Sequence, residues 1–281
     1  MVTRSARSAA RRAGWSTRRA ANSPVMSALA RAGFGARGVL YVIIGALALQ
    51  VAFGGPAHQP DRAGALRLVG KTPLGEAALW LLAIGFTGLT LWQASEAIWG
   101  GYGPHGREMT RRVGAAALTV VYAVVTYSIM KYAIGLGAPS SSNKQSRDLT
   151  ASLMHHPGGR YLAGAIGAGL IIAGLVIAYC AARKRFLRRM RALQTATPAA
   201  RQVVERLGQY GGICRGAVFA GAGVFLMMAA VDANPRQAKG LDATLRSFAA
   251  TPSGPWLLVL VAAGLIVYGL FCGCEARWRD T

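Results

Sequence analysis

Residues with reactive side chains are scarce in this chain of 281 residues, which has four cysteines, four histidines and ten acidic side chains. Cys272 and Cys274 are separated by one residue, and His155 and His156 are adjacent; neither spacing is that of a zinc site. The chain has no nucleophile elbow, phosphate-binding loop or dinucleotide-binding fingerprint. We therefore predict no catalytic residue, no cofactor and no metal site. A metal or redox role for the cysteines is the alternative to four apolar thiols.

Two arginines and two glutamates occupy matching positions in separate parts of the chain: Arg37 with Arg215, and Glu96 with Glu275. Both glutamates begin the pattern Glu-Ala-x-Trp, and both lie 23 residues after a proline. The intervening part of the chain has neither charge at the corresponding positions. Because base and acid are present together or absent together, the pattern predicts the ion pairs Arg37–Glu96 and Arg215–Glu275. A pairing between repeats, of Arg37 with Glu275, is the alternative.

The distance from the proline limits what these pairs can do. At about 1.5 Å per residue, 23 helical residues span about 35 Å, which exceeds a hydrocarbon layer of about 30 Å. The pairs are therefore expected at the cytoplasmic membrane edge, partly hydrated, where such a pair contributes about 1 kcal/mol or less. We interpret them as structural ion pairs, with a proton or substrate relay as the alternative.

The elements that must position these residues are membrane-spanning helices. The composition is 53% hydrophobic and 15% charged, whereas soluble proteins have roughly 25% charged residues. The apolar residues form six blocks, each near the length of about 20 residues that a helix needs to cross a bilayer. These blocks cover about residues 38–54, 75–95, 113–130, 161–182, 213–231 and 255–274. The sequence thus predicts an all-α, polytopic membrane protein with six transmembrane helices.

An internal repeat groups these six helices into three units. In each unit Pro-x-Gly precedes a further glycine that lies twelve residues after the proline. The repeat residues are Pro73, Gly75, Gly85, Pro157, Gly159, Gly169, Pro252, Gly254 and Gly264. Proline suits the first position of a helix, so Thr72 and Thr251 are expected to cap the helices that follow. Three parallel two-helix repeats then surround a pseudo-threefold axis, with short amphipathic helices in their outer connections.

The repeats set the domain boundaries. We predict a disordered basic cytoplasmic tail over residues 1–30, repeat one over residues 31–99 and repeat two over residues 110–182. A basic cytoplasmic linker helix over residues 183–205 leads into repeat three over residues 206–278.

The basic residues are distributed unevenly between the two sides of the predicted bundle. The net charge is +22. Segments on the side of the termini hold 21 Lys and Arg residues without Arg215, and the opposite loops hold nine. The positive-inside rule therefore places both termini in the cytoplasm. Because the charge lies at membrane edges, the sequence favours anionic lipid headgroups over nucleic acid as the partner.

The linker supports that interpretation. Phe186, Met190 and Leu193 share one helical face and are surrounded by six basic residues. Such a segment is typical of a basic amphipathic helix that lies along cytoplasmic headgroups. It could equally bind a membrane-protein partner or serve only to orient the chain.

The repeat residues carry a family resemblance. The pattern Arg31-x-Gly33-Phe34…Arg37-Gly38-x-x-Tyr41 begins repeat one, and Pro252-x-Gly254…Gly264-Leu265-x-x-Tyr268-Gly269 belongs to repeat three. The chain resembles, over residues 31–278, the bacterial membrane family catalogued as domain of unknown function 1206. The resemblance implies three two-helix units in a bacterial cytoplasmic (inner) membrane and no known activity. Repeat two departs from the pattern because it lacks the arginine and the glutamate.

Two functional classes remain open. The first is a non-enzymatic scaffold, partner-binding or lipid-interacting helical bundle. The alternative is a carrier or channel for a small neutral solute or a lipid. The helices supply mainly Gly, Ala, Leu and Val, so the centre is expected to be packed by small and apolar residues. The hydroxyl candidates for a polar path are Thr87, Thr90, Thr126 and Ser128.

Overall fold

Each of the three repeats folds into a long helix, a short helix and a second long helix. The computed structural model describes residues 24–54, 59–100, 109–137, 139–190, 193, 196–249 and 254–279. Repeat one comprises α1 (Pro24–Ala52), α2 (Arg62–Gly70) and α3 (Gly75–Trp99). Repeat two comprises α4 (Met109–Ala133), α5 (Ser142–Met154) and α6 (Gly159–Ala182). Repeat three comprises α7 (Pro198–Val231), α8 (Leu241–Ala249) and α9 (Gly254–Trp278).

The six long helices are each long and apolar enough to cross a membrane. The chain is thus an all-α, multi-pass membrane protein, as its hydropathy predicts, and no β-strand occurs among the residues described. Most of the predicted basic tail, residues 1–23, lies outside the described residues.

The long helices follow one another around a pseudo-threefold axis, with one break. Within repeats one and three, α1 packs against α3 and α7 packs against α9. Between repeats, α3 packs against α4, α6 against α7 and α9 against α1. Helices α4 and α6, the two long helices of repeat two, do not pack against each other over the parts that the structure describes. We call the space between them the open side.

Glycines at matching repeat positions show why the open side is unusual. In repeat one, a Cβ on Gly33 would lie 2.5 Å from the carbonyl oxygen of Gly85, so the two helices touch there. In repeat three, a Cβ on Gly264 would lie 2.3 Å from a side chain of α7. The corresponding residues of repeat two are Gly114 and Gly169, and a Cβ on either would have no neighbouring atom within 4 Å. Repeat two thus carries the glycines of a close helix contact without making that contact.

Helices of different repeats also approach each other closely where glycines lie in their contact. A Cβ on Gly38 of α1 would lie 2.7 Å from the carbonyl oxygen of Gly269 in α9. A Cβ on Gly174 of α6 would lie 2.6 Å from the carbonyl oxygen of Gly216 in α7. Small residues let helix backbones approach in this way, and van der Waals packing between such backbones stabilises helix pairs in lipid.

The proline of Pro-x-Gly lies in a turn before the helix, and the glycine is the first helical residue. The amide of Gly75 donates to the carbonyl of Thr72 at 2.8 Å, and α3 begins at Gly75. The hydroxyl of Thr72 donates to the carbonyl of Val69, so its predicted capping role is wrong. A Cβ on Gly75 would lie 2.5 Å from that same Val69 oxygen, which explains the need for glycine after the proline. Thr251 and Pro252 lie outside the described residues.

The predicted amphipathic helices in the outer connections are confirmed as α2, α5 and α8. Leu66 of α2 and Leu245 of α8 are buried in the core, whereas Leu149 of α5 is 59% exposed. The connection of repeat two therefore packs less deeply than the other two. This difference matches the open side, because α5 joins the two helices that lie apart.

Polar contacts link the three connections to one another. Asp61, before α2, accepts hydrogen bonds from the amide and the hydroxyl of Ser142 at the start of α5, at 2.7 Å and 2.9 Å. The side-chain oxygen of Asn143 in turn accepts from the amide of Gly240, before α8, at 3.4 Å. The connections thus form a layer that ties repeat one to repeat two and repeat two to repeat three.

The linker between repeats two and three is not the predicted continuous helix over residues 183–205. Lys184 has a positive φ of 51° and ends the helical path, a short 3₁₀ turn covers Arg185–Arg189, and α7 begins at Pro198. Met190 and Leu193 are each 2% exposed and pack against the bundle. The apolar face predicted to contact lipid therefore contacts the protein's own helices.

Candidate functional site

A cluster of charged and aromatic residues lies between the long helices, near the end of the bundle where α1 begins and α9 ends. Arg37 of α1 is its first member, and the guanidinium donates to three side chains. Its Nε donates to Sγ of Cys272 at 3.3 Å, its Nη1 to the hydroxyl of Tyr122 at 3.0 Å and its Nη2 to Oε2 of Glu275. Arg37 thereby joins α4 of repeat two to α9 of repeat three.

Glu275 is the acidic member of the cluster. Its Oε2 accepts from Arg37, and its Oε1 accepts from Nη1 of Arg279 at 2.5 Å. The guanidinium of Arg279 lies over two aromatic rings, 4.6 Å from the centroid of Phe34 and 4.9 Å from that of Trp92. Both carboxylate oxygens are therefore used by cations, and the second cation is held against repeat one by its aromatic contacts.

Arg215 of α7 is the third cation, and its polar partners are neutral. Its Nε donates to the hydroxyl of Tyr41 at 3.2 Å, and its Nη1 donates to the hydroxyl of Tyr268 at 2.9 Å. The guanidinium also lies 4.9 Å from the ring centroid of Tyr268 and 5.2 Å from that of Phe219. Within the described part of the chain, no carboxylate forms an ion pair with Arg215.

By helix length, the cluster is expected near the edge of the hydrocarbon layer, because Glu275 lies 21 residues, or about 32 Å, from the start of α9 at Gly254, whereas the two arginines lie at a smaller distance from the far ends of their helices. Arg37 is 15 residues from the end of α1 at Ala52, and Arg215 is 16 residues from the end of α7 at Val231. These lengths correspond to about 22 Å and about 24 Å, which are less than a hydrocarbon thickness of about 30 Å. An ionised group at such a depth is costly unless it is paired, so this cluster is the strongest candidate for a functional site.

The predicted pairings within repeats are wrong. Arg37 pairs with Glu275 rather than Glu96, and Arg215 bonds to tyrosines rather than to Glu275. Glu96 instead accepts a hydrogen bond from Gln93 at 3.4 Å. The physical reason is the close approach of α1 and α9, where Gly38 packs on Gly269 and sets Arg37 beside the end of α9.

The predicted hydration of these residues is wrong as well. Arg37 is 8% exposed and Glu275 is 6% exposed, because aromatic rings and neighbouring helices cover them. The centre was expected to be packed mainly by small and apolar residues, and this cluster is the exception to that expectation. Elsewhere the core follows the prediction, with leucine, alanine and aromatic side chains making up most of the buried residues.

Sequence analysis missed the tyrosines of the cluster, although the repeat contains a signal for them. Tyr41, Tyr122 and Phe219 occupy the same repeat position, one turn after Arg37, Leu118 and Arg215. Residues four apart share a helix face, so each of these aromatic side chains should accompany the group one turn before it. Tyr268 and Cys272 have no such signal, because repeats one and two have other residues at their positions.

The other sequence candidates lie elsewhere and make local contacts. The hydroxyls of Thr87, Thr90 and Ser128 donate to carbonyl oxygens four residues earlier in their own helices, at 2.7–2.8 Å. The Thr90 and Thr126 hydroxyls lie 3.2 Å apart and link α3 to α4. These groups satisfy backbone carbonyls within the membrane rather than lining a continuous polar path.

The histidines and cysteines among the described residues do not gather at one place. Nδ1 of the exposed His156 lies 3.1 Å from the carbonyl oxygen of Ser152. Cys272 and Cys214 are buried, whereas Cys180 and Cys274 are half-buried, and all four are free thiols. In the described residues, no three His, Cys, Asp or Glu side chains come together to form a metal site.

The comparison with protein families agrees with the three-repeat architecture. The family model described as Domain of Unknown Function (DUF1206) matches the chain three times, over residues 32–100, 113–184 and 210–279. The chain belongs to the DUF1206 family. Each match spans one long-short-long set of helices, so the resemblance predicted from the repeat residues is confirmed.

The chain is also similar to one bacterial protein along most of its length. The chain is 29% identical over 252 residues to "Uncharacterized protein YxxB" of Bacillus subtilis (strain 168), covering 88% of this chain and 89% of the relative. No solved structure matches the chain. Membership of DUF1206 thus gives this protein a family and an architecture, and its function has to be argued from its own geometry.

Proposed function

We propose that this DUF1206 protein is a non-enzymatic, lipid-interacting helical bundle of the bacterial cytoplasmic membrane, with both termini in the cytoplasm. A phospholipid acyl chain occupies the open side between α4 and α6 and completes the packing of repeat two. Anionic headgroups at the cytoplasmic face are the expected lipid partners, and nucleic acid is not a partner.

The observation that carries this proposal is the unpacked pair of glycines in repeat two. Gly114 and Gly169 have open space where Gly33 and Gly85 touch in repeat one. In a bilayer this space must be filled, and the exposed side chains of both helices are almost all apolar. Acyl chains are the material that a membrane supplies to such a surface.

The exposure of α6 supports the same occupant. Its buried positions form a single stripe against α7 that includes Ala163, Gly167, Gly174 and Ala181. Ile172, Leu175 and Val176 are each more than half exposed. Because α6 packs against the protein along one narrow stripe, the rest of its surface faces lipid. It therefore contacts more lipid than a long helix that packs against a neighbour on each side.

Exposed arginines near the end of α6 suit an anionic headgroup. Arg183 and Arg185 are exposed, and their guanidinium groups lie 5.6 Å and 5.2 Å from the ring centroid of Tyr179. A tyrosine with two flanking cations is typical of a membrane interface, where the ring sits at headgroup depth and the cations face phosphate groups. A membrane-protein partner could use the same surface.

Native mass spectrometry of the full chain, released from nanodiscs of native lipid, tests the proposal. We expect the wild-type protein to retain at least one phospholipid. The substitution Gly169→Leu fills the open side and should remove the retained lipid. Gly273→Leu is the matched control, because a Cβ on Gly273 also meets no atom within 4 Å but lies on α9, away from the open side. Equal lipid retention by both variants would exclude the open side as the lipid site.

A carrier or channel for a small neutral solute or a lipid is the second candidate, favoured by the buried polar cluster. A cavity lined by Leu40, Arg62, Val125 and Ser128 lies toward the outer connections, but its volume of about 20 Å³ holds one water molecule. We therefore expect purified protein in liposomes to give no more solute flux than protein-free vesicles. Saturable flux that Thr90→Val abolishes, with folding intact, would establish the carrier instead.

A further inference from the structure

We propose that the cluster around Arg215 is a binding site for one oxyanion of the phosphate class. Its ligands are the guanidinium groups of Arg215 and Arg37 and the hydroxyls of Tyr41, Tyr122 and Tyr268. The anion comes either from a phospholipid headgroup or from free phosphate, and both present the same tetrahedral oxygens to the site.

The cluster carries more positive than negative charge. Arg37, Arg215 and Arg279 are cationic, and Glu275 is the acidic residue that contacts them among the residues described. Both oxygens of that carboxylate are already bonded, to Arg37 and to Arg279. Arg215 is left with tyrosine hydroxyls and ring faces, which attract a cation but do not neutralise it. Arg215 is half-buried, and charges that are withdrawn from water are normally paired, so the excess positive charge predicts an anionic ligand.

The hydrogen-bond donors of the cluster point to the same ligand. The hydroxyls of Tyr41 and Tyr268 accept hydrogen bonds from Arg215, and that of Tyr122 accepts from Arg37. A phenol that accepts a hydrogen bond still has its own proton to donate. In the part of the chain that the structure describes, these three protons and Nη2 of Arg215 have no acceptor. Four donors without an acceptor suit an oxyanion, which offers several lone pairs at once.

We place the route of access to the site at the open side. Tyr122, which is 8% exposed, belongs to α4, one of the two helices that border the open side. Leu118 lies one turn before Tyr122 on the same face and is 38% exposed, although it occupies the repeat position of the buried Arg37. No residue of α6 contributes a hydrogen bond to the cluster among those described. A lipid whose acyl chain lies in the open side could therefore place its phosphate at the cluster.

The inference rests on the proposed function only for the lipid source of the anion, so the experiment has two arms. In the first, full-length protein in phosphatidylcholine nanodiscs is titrated with sodium phosphate, and its melting temperature is compared with that in sodium chloride of equal ionic strength. In the second, native mass spectrometry measures the retention of phosphatidylglycerol against phosphatidylcholine.

Two cluster variants and one control decide the outcome. Arg215→Gln should weaken the affinity for phosphate or for phosphatidylglycerol by about tenfold or more, because it removes a charge-assisted donor pair. Tyr122→Phe keeps the ring and the helix packing, and it should weaken the same affinity by about threefold. Arg206→Gln is the control, because Arg206 is exposed on the same helix, nine residues from Arg215.

Every result has a defined meaning. Stabilisation by phosphate alone assigns the site to a free anion, and retention of phosphatidylglycerol alone assigns it to a headgroup, provided that Arg215→Gln and Tyr122→Phe reduce the effect. If Arg215→Gln does not fold, Tyr122→Phe decides. No anion preference in either arm, or an equal preference in Arg206→Gln and both cluster variants, overturns the site. The proposed lipid function would survive that result if Gly169→Leu still removes a bound lipid.

Discussion

Arg37 in the first repeat and Glu275 in the third form a buried ion pair between residues 238 positions apart. The pair joins the first and last long helices, which also pack along Gly38 and Gly269. Because α4 and α6 leave the opposite side of the bundle open, the contact between α1 and α9 is what holds repeat one to repeat three. The ion pair lies at the end of the bundle where α1 begins and α9 ends.

We predict that Glu275→Gln destabilises the protein strongly. The substitution leaves Arg37 buried without its carboxylate, and breaking a buried ion pair from one side costs about 3–5 kcal/mol. Thermal unfolding in detergent, followed by tryptophan fluorescence, measures the effect. Glu96→Gln is the matched control, because Glu96 is half-buried and is not part of the cluster; it should change stability by less than about 1 kcal/mol. Equal effects of the two substitutions would contradict the structural pairing.

The glycines of the repeat should differ in their tolerance of a methyl group. Gly85→Ala places a Cβ 2.8 Å from that of Ala36 and 3.1 Å from the carbonyl oxygen of Ala32, and should destabilise by about 1–3 kcal/mol. Gly169→Ala places a Cβ in open space and should be neutral or slightly stabilising, since alanine favours the helix. The same unfolding assay compares the two. A large loss for Gly169→Ala would mean that α4 and α6 pack closely in the bilayer.

Disulfide cross-linking should distinguish the packed helix pair from the open one. In a background without the four native cysteines, Thr90→Cys with Thr126→Cys should cross-link readily, because the native hydroxyls are 3.2 Å apart. Gly114→Cys with Gly169→Cys occupies the repeat positions that touch in repeat one, yet it should not cross-link. Mobility on non-reducing gels reports both pairs in the same membranes. Efficient cross-linking of the second pair would show that the open side closes.

The positive-inside assignment of the termini is open to a direct test. In the same cysteine-free background, Lys144→Cys lies in the exposed part of α5, and Arg183→Cys lies at the other end of α6. An impermeant thiol reagent added outside intact cells should modify the first and spare the second. After the membrane is permeabilised, both cysteines should be modified. Modification of Arg183→Cys but not of Lys144→Cys in intact cells would invert the topology.

The sequence predicts the helices and the repeat well, because both depend on local properties. Apolar blocks of sufficient length become spanning helices wherever they occur, and the repeated Pro-x-Gly marks the same turn in repeats one and two. The need for glycine in that turn is also local, since Gly75 and Gly159 approach carbonyl oxygens only six residues before them. The exact start of each helix was less predictable, as the misassigned cap at Thr72 shows.

The partners of Arg37 and Arg215 were decided by tertiary structure alone. Matching positions in repeats suggested partners within each repeat, but which helix faces a given arginine depends on how three units pack around the axis. The sequence by itself determined a triplicated six-helix membrane protein with charge at its repeat positions. The packing of α9 on α1 decided that Glu275 forms an ion pair with Arg37. The separation of α4 from α6 produced the open side. Both features depend on which helices of different segments contact each other, and repeat periodicity does not encode those contacts.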